Sequence, residues 1–366
     1  MRILVTGAKG FIGKNLISIL NTLDHEVLSF DSMNTNAELE SMTATCDFVV
    51  HLAGVNRPTA PDEFYTGNAD LTHTLTQYLQ SAKNKCPVLM SSSIQATADN
   101  DYGKSKKQGE DYLLEHAKQN NSAVYIYRFK NLYGKWSRPN YNSVVATWCY
   151  NIARGIDVRV DNPTTKLELC YIDDVVEAII GQLGGNAKTG LYTIENTDVI
   201  KLGELHDLLV SFRETRDDKL LPDQSKPLYK NLYATYLSYL PQDAFSYPLT
   251  THRDERGGFA EFIKSQADGQ VSINISKPGV TKGQHWHSTK NEKFLVVKGS
   301  GIIRLRDIFS KDVIEYPVSG DSLEVVDIPT GYTHSLVNVG DEDMITVIWA
   351  NELFDVDSPD TNKEEV

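Results

Sequence analysis

Val5-Thr6-Gly7-Ala8-Lys9-Gly10-Phe11-Ile12-Gly13 decides the fold of the first half of this chain. Ahead of it Ile3-Leu4-Val5 reads as a buried strand, and behind it Asn15 to Leu23 carries helical spacing. A glycine triplet alone is weak evidence, but at the turn from a first strand into a helix it is specific. There the bare backbone can approach a pyrophosphate, whose charge is met by the N–H groups of the helix start. The loop nominates Gly7, Gly10, Phe11, Ile12 and Gly13 for a dinucleotide. Asp31, closing the second strand Glu26–Phe30, is placed to bond the adenine ribose hydroxyls. That favours NAD over NADP, a preference that a nearby cation would reverse.

Outward from the loop, Phe48-Val49-Val50 and Val88-Leu89-Met90 repeat the buried-strand pattern, and Leu71 to Ala82 is helical. Strands alternating with helices predict an α/β, doubly wound (Rossmann-type) sheet. Residues 201–212 add an amphipathic helix. The charged stretch Arg213–Gln224 reads as a hinge or surface crossing, and Tyr229, Tyr233 and Tyr236 as a packed helix. Beyond residue 250 the texture changes to short β runs broken by Gly, Pro, Asn and Asp, which predicts an all-β barrel. The 366 residues therefore divide into an α/β domain with its linker, 1–247, and a β domain, 248–366, with Ser358–Val366 as a polar tail. Lys+Arg is 36 against Asp+Glu 49, a net charge of −13, which argues against a general nucleic-acid binder. No apolar run reaches the ~20 residues of a membrane span. Four scattered cysteines and an N-terminus that runs straight into the glycine loop point to the cytosol.

Tyr102-Gly-Lys-Ser-Lys106 is the second constellation. Residues i and i+4 share a helix face, so Lys106 can hold the nicotinamide ribose and pull down the phenol pKa. Of 18 tyrosines only Tyr102 has a lysine four residues later. It follows the strand Val88–Met90 and the run Ser91-Ser92-Ser93, where a serine hydroxyl can hold a carbonyl while Tyr102 donates the proton. These motifs resemble the extended short-chain dehydrogenase/reductases of nucleotide sugars. Val50-His51-Leu52-Ala53-Gly54, Tyr127-Arg128-Phe129-Lys130-Asn131-Leu132-Tyr133-Gly134 and Tyr171-Ile172-Asp173-Asp174-Val175 match as well. The resemblance implies Ser93 as the catalytic serine, Leu52, Ala53, Gly54 and Asn68 beside the cofactor, and Asn131 and Arg138 at the nucleotide sugar. Only eight residues separate Ser93 from Tyr102, which leaves the mouth of the site open to another domain or subunit.

In the β half, Gly283-Gln-His285-Trp-His287 is followed by Glu292, and Pro329-x-Gly331 by His334. Alternate residues of a strand face one way, so His285 and His287 can share a site. Three imidazoles and a carboxylate suit Zn²⁺, with Fe²⁺, Mn²⁺ or Ni²⁺ as alternatives. The spacing is similar to the cupin family, although Leu323 stands where that pattern carries a glycine. Asp254-Glu-Arg256-Gly257-Gly-Phe259 further resembles cupin-type nucleotide-sugar epimerases, and Lys293 follows where they carry a lysine that steadies an enolate. Those relatives use a histidine base, a role that a ligating His285 could not also fill.

Taken together, the two halves resemble the bifunctional capsular-polysaccharide enzymes of UDP-N-acetyl-L-fucosamine synthesis. That resemblance implies C3 epimerisation of a UDP-2-acetamido-2,6-dideoxy-4-hexulose by the cupin. NADPH-dependent C4 reduction to the UDP-linked L-talose sugar would follow. NADPH ranks first, against the Asp31 argument, with NADH as alternative. The implied partner is a UDP-linked 4-keto-6-deoxy-N-acetylhexosamine, and a homodimer is expected from the apolar linker and β-domain surface. The competing reading is a plain 4-ketosugar reductase whose cupin is a structural or sugar-binding module.

Overall fold

The computed structural model describes residues 1–185 and 187–366. β1 (Arg2–Thr6) enters α1 (Phe11–Leu20) through the glycine loop, with Gly10 as N-cap. Then come β2 (Glu26–Phe30), α2 (Asn36–Thr45) and β3 (Phe48–His51). A short turn, α3 (Asp62–Phe64), continues through a π-helical turn into α4 (Leu71–Ser81). β4 (Val88–Ser93), α5 (Asp101–Asn120) and β5 (Val124–Phe129) follow. The series ends with β6 (Asn131–Tyr133), α6 (Val144–Ile152), β7 (Lys166–Tyr171), α7 (Ile172–Gln182), β8 (Gly190–Tyr192) and β9 (Asp198–Lys201). The main sheet runs β2-β1-β3-β4-β5-β8, every pair parallel.

Both faces of this sheet are covered, which is why its strands are nearly continuous apolar runs. Ile3, Val5, Val50, Leu89 and Tyr125 enter one core cluster; Leu4, Val49, Val88, Met90 and Ile126 enter the other. Local chemistry sets the helix starts. Thr35 and Glu38 form a reciprocal capping box on α2. The Asn100 side chain accepts from the Gly103 N–H at 2.8 Å, opening α5 so that Tyr102 lies in its first turn. β4 extends past Met90 through the three serines, because Ser91, Ser92 and Ser93 continue the register against Tyr127, Arg128 and Phe129.

Two compact units form: Met1–Val210 with Asn231–Pro241, and Ser211–Lys230 with Gln242–Val366. The sequence reading has one crossing at 247/248; the chain passes between units at 210/211, 230/231 and 241/242. The charged stretch expected as a hinge begins inside a helix, α8 (Leu202–Asp218), held by buried Leu205, Leu209 and Phe212. α9 (Pro227–Ser238) carries the tyrosines.

The named strands of the second unit pair antiparallel, and a single parallel bridge joins Leu220 to Lys264. Its strands are β10 (His252–Asp254), β11 (Gly257–Ser265), β12 (Gly269–Ser276), β13 (Thr281–Trp286), β14 (Glu292–Lys298) and β15 (Ser300–Asp307). They continue with β16 (Val313–Ser319), β17 (Val325–Ile328), β18 (Tyr332–Asn338), β19 (Met344–Ala350) and β20 (Asn362–Lys363). Sheets β10-β11-β12-β19-β14-β17 and β16-β15-β18-β13-β20 make a cupin-type barrel around Phe294, Val296, Ile303, Leu305, Leu336 and Met344. The polar tail is not free: β20 pairs with β13, His285 against Lys363. Its polarity conceals this, because the attachment is made by backbone and carboxylate hydrogen bonds rather than by apolar side chains.

Candidate active site

In the first unit the glycine loop lies where strand order reverses, between β1 and β3, at the carboxyl ends of the strands. Two glycines are sterically required there. Gly7 has φ +69°, and a Cβ on it would lie 2.7 Å from the Ala53 nitrogen. A Cβ on Gly13 would lie 2.3 Å from the Gly7 carbonyl oxygen, so α1 packs on the turn only without one. A cleft of about 1740 Å³ opens from this loop. Phe11, Ile12, Leu52, Gly54, Asn68, Ser93, Tyr102, Lys106, Asn131 and Arg138 all line it. Asn68 ties the segment after β3 to α5: its amide donates to the Val55 carbonyl and the Ser105 hydroxyl, each at 3.0 Å, and its oxygen accepts from the Val55 N–H.

Ser93, Tyr102 and Lys106 meet at the end of β4. Burial raises the Tyr102 phenol pKa, and a hydrogen bond from the Ser93 hydroxyl works the other way. The expected depression by Lys106 is not the controlling effect, because that ammonium is turned to the Ser91 carbonyl at 2.8 Å. Burial pushes Lys106 down to about 8, partly opposed by Glu110. Glu110 stands behind the cleft wall rather than lining it, and went unread in the sequence. It is almost fully buried, takes two hydrogen bonds from Arg128 (2.9 and 2.7 Å) and accepts one from Ser92 at 2.6 Å. Its signal was available, since Lys106-x3-Glu110 repeats the spacing of Tyr102-x3-Lys106 on the same helix.

Asp31 directly follows β2, with one oxygen on the Met33 N–H and the other 3.1 Å from Lys9 Nζ. Those bonds, Met33 first, hold its carboxyl below the ordinary range. The cation that would moderate a preference for NAD is therefore in place, supplied by the glycine loop. Asn131 donates to the Glu168 carbonyl at 3.1 Å, and the Arg138 guanidinium lies 5.2 Å from the Tyr141 ring centre.

In the second unit His285, His287, Glu292 and His334 converge, with one ligand atom from each within 4.8 Å of the others. His287 and His334 are buried, and a Glu292 carboxylate oxygen lies 3.4 and 3.3 Å from their Nε2 atoms. Burial, then the neighbouring imidazoles of His334 and His287, lowers His285 to about 4. Burial also acts to raise Glu292, but the His287 and His334 imidazoles beside its carboxylate outweigh it and hold the carboxyl well below its usual range. His287 Nδ1 donates to the Asp360 carbonyl, which leaves its buried Nε2 as a lone-pair donor without a hydrogen-bond partner. Three imidazoles converging beside a carboxylate fit a divalent cation.

Lys293 does not join them. Side chains alternate along β14, so Glu292 and Phe294 face inward while Lys293 is half-exposed on the opposite face, paired with Asp327 of β17. This corrects the expectation that it steadies charge at the site.

Residues 3–188 match the NAD dependent epimerase/dehydratase family and residues 252–362 the polysaccharide biosynthesis C-terminal domain. The chain is 42% identical over 363 residues to a UDP-2-acetamido-2,6-beta-L-arabino-hexul-4-ose reductase of Pseudomonas aeruginosa, covering 99% of this chain and 98% of that one. The crystal structure of the capsular polysaccharide assembling protein CapF from Staphylococcus aureus superposes with a TM-score of 0.93 at 51% identity, covering both chains completely. Bordetella bronchiseptica WbmF, solved with NAD+, matches 58% of this chain and 78% of its own at 21% identity and TM-score 0.53, a likeness of fold.

Proposed function

This chain belongs to the NAD dependent epimerase/dehydratase family, in the CapF-like group with a polysaccharide biosynthesis C-terminal domain, and on that premise we propose a bifunctional nucleotide-sugar enzyme. Its substrate is a UDP-2-acetamido-2,6-dideoxy-4-hexulose. The cupin unit inverts C3, and the first unit reduces C4 with NADPH, giving the UDP-linked 2-acetamido-2,6-dideoxy-L-talose. The observation that carries the reading is the meeting of Ser93, Tyr102 and Lys106 in the cleft of the glycine loop.

Order follows from chemistry. The C4 ketone acidifies the C3 proton, and reduction abolishes that acidity, so inversion precedes reduction. When bound, the nicotinamide supplies hydride at C4, and a divalent ion, Zn²⁺ by first choice, supplies Lewis acidity to the ketone. Tyr102 gives its phenolic proton to the C4 oxygen, which Ser93 holds by hydrogen bond. Lys106 sits one helical turn away to hold the ribose. Leu52, Ala53, Gly54 and Asn68 shape the wall against the cofactor, and Asn131 and Arg138 orient the nucleotide sugar. His285, His287, Glu292 and His334 would hold the cation. Lys9 beside Asp31 supports a 2′-phosphate, hence NADPH ahead of NADH.

A plain reductase with a structural cupin is the second reading, favoured by the outward Lys293. NMR of the 4-ketosugar in D₂O separates them. Loss of the C3 proton signal without NADPH, and C4 reduction once it is added, is the expected result. Reduction with no C3 exchange would establish the plain reductase. We further propose a cytoplasmic homodimer; light scattering at the 40.9 kDa of one chain would refute the dimer.

A further inference from the structure

The structure points to a second role for the last residues of the sequence. We propose that Asp360 is a positioning residue that sets the tautomer and aim of His287, through a strap formed by residues 358–366; this rests on the metal reading of the histidine cluster.

Three independent attachments carry it. First, β20 adds to the edge of β13, the strand bearing His285, with Lys363 opposite His285 and Asn362 opposite Trp286. Second, the Asp360 carboxylate takes three successive backbone amides, Ser288 at 2.8 and 2.9 Å, Thr289 at 2.8 Å and Lys290 at 2.9 Å, with the Thr289 hydroxyl at 3.2 Å. Successive amides converging on one anion form a rigid nest, and here the nest is the segment leading from His287 to Glu292. Third, the Asp360 backbone carbonyl accepts a hydrogen bond from the His287 Nδ1–H. An imidazole that donates from Nδ1 presents a lone pair at Nε2, and an acceptor behind it raises ligand basicity and locks the ring angle.

Beyond Asp360 the strap is fastened on both sides of the cluster. The Thr333 hydroxyl, next to His334, donates to the Glu364 carbonyl at 2.5 Å. The Glu364 N–H donates to the Gln284 carbonyl at 3.1 Å, and Arg306 reaches the Glu364 carboxylate at 2.7 Å. A tail that merely covered the barrel would have no reason to place a carbonyl on the remote nitrogen of a ligand imidazole while its own side chain organises the next three amides.

The test uses the full chain and Zn²⁺ alone, measured by chelator competition, together with ¹⁵N NMR of the histidines in metal-free protein. Asp360→Ala should bind Zn²⁺ about 10- to 100-fold more weakly and show His287 as mixed tautomers. Both variants keep the backbone carbonyl, but only Asp360→Asn keeps a side-chain acceptor oxygen for the amide nest that aims it, so it should recover part of both and serves if the alanine variant folds poorly. Wild-type affinity with an unchanged tautomer in Asp360→Ala overturns the proposal. Weaker affinity with an unchanged tautomer overturns it too, since a general structural role would do that. If the wild type binds no Zn²⁺ while the tautomer still responds to Asp360→Ala, the strap stands and the metal reading falls.

Discussion

Replacing Glu110 with alanine should destabilise the first unit more than any exposed ion-pair change. The carboxylate is 1% exposed and holds three charge-assisted bonds, two from Arg128 and one from Ser92. Its removal strands a guanidinium whose side chain is only 20% exposed. Breaking a buried pair from one side costs about 3–5 kcal/mol; the residual solvent access of Arg128 argues for the lower end, about 3 kcal/mol. At roughly 2–4 °C per kcal/mol for a unit of this size, Tm should fall by about 6–12 °C, read by differential scanning calorimetry. The triple change Glu110→Leu, Arg128→Met and Ser92→Ala leaves no stranded partner and should recover most of the loss. Glu110 also opposes the burial of Lys106, so in Glu110→Gln the Lys106 pKa should drop further below about 8. An alanine variant within about 1 kcal/mol of wild type, or a triple variant as unstable as the single, would refute the reasoning.

Tyr102→Phe should lower the rate of C4 reduction at least ~10²-fold while NADPH still binds within a few-fold, as followed by NADPH oxidation and fluorescence titration. Gly13→Ala forces a Cβ against two backbone oxygens, 2.3 and 2.7 Å away. The strain of about 1–3 kcal/mol should weaken NADPH binding roughly ten- to a hundredfold and leave C3 exchange intact. His51 is buried between the Thr6 and Thr72 hydroxyls at 2.7 and 2.9 Å, and burial first, then Lys106, lowers it to about 3. Its contribution is full above the unfolded value of about 6.5 and is lost as pH falls toward about 3, up to roughly 4–5 kcal/mol. Urea unfolding between pH 4 and 7 should show that slope flattened in His51→Gln, and an equal slope in both proteins counts against it. All four cysteines are buried, Cys46 and Cys86 with sulfurs 3.7 Å apart. A thiol reagent should therefore titrate none in the native protein and four after denaturation; rapid native labelling would contradict the packing.

The local grammar of the chain determined most of the first unit. A strand, a glycine turn and a helix start are set by neighbours in sequence, and so is the pairing of Tyr102 with Lys106 one helical turn on. Alternating apolar runs then require a sheet covered on both faces. The histidine motifs were legible for the same reason: period two along the end of β13 and into the residue after it places His285 and His287 together, and a turn delivers His334. Lys293 shows where such reading stops. Its proximity in sequence to Glu292 suggested a shared site, but adjacent strand residues point to opposite faces, and the β14–β17 register gave it to Asp327. Lys9 on Asp31, Arg128 on Glu110 and Asp360 on His287 were decided only by tertiary structure. Each joins residues 18 to 73 positions apart, through charges and carbonyls whose partners no local periodicity specifies. Apolar burial needs only the right face, and the pattern of residues states that face. A hydrogen bond needs one particular donor opposite one particular acceptor, and that meeting exists only once the strands have found their register.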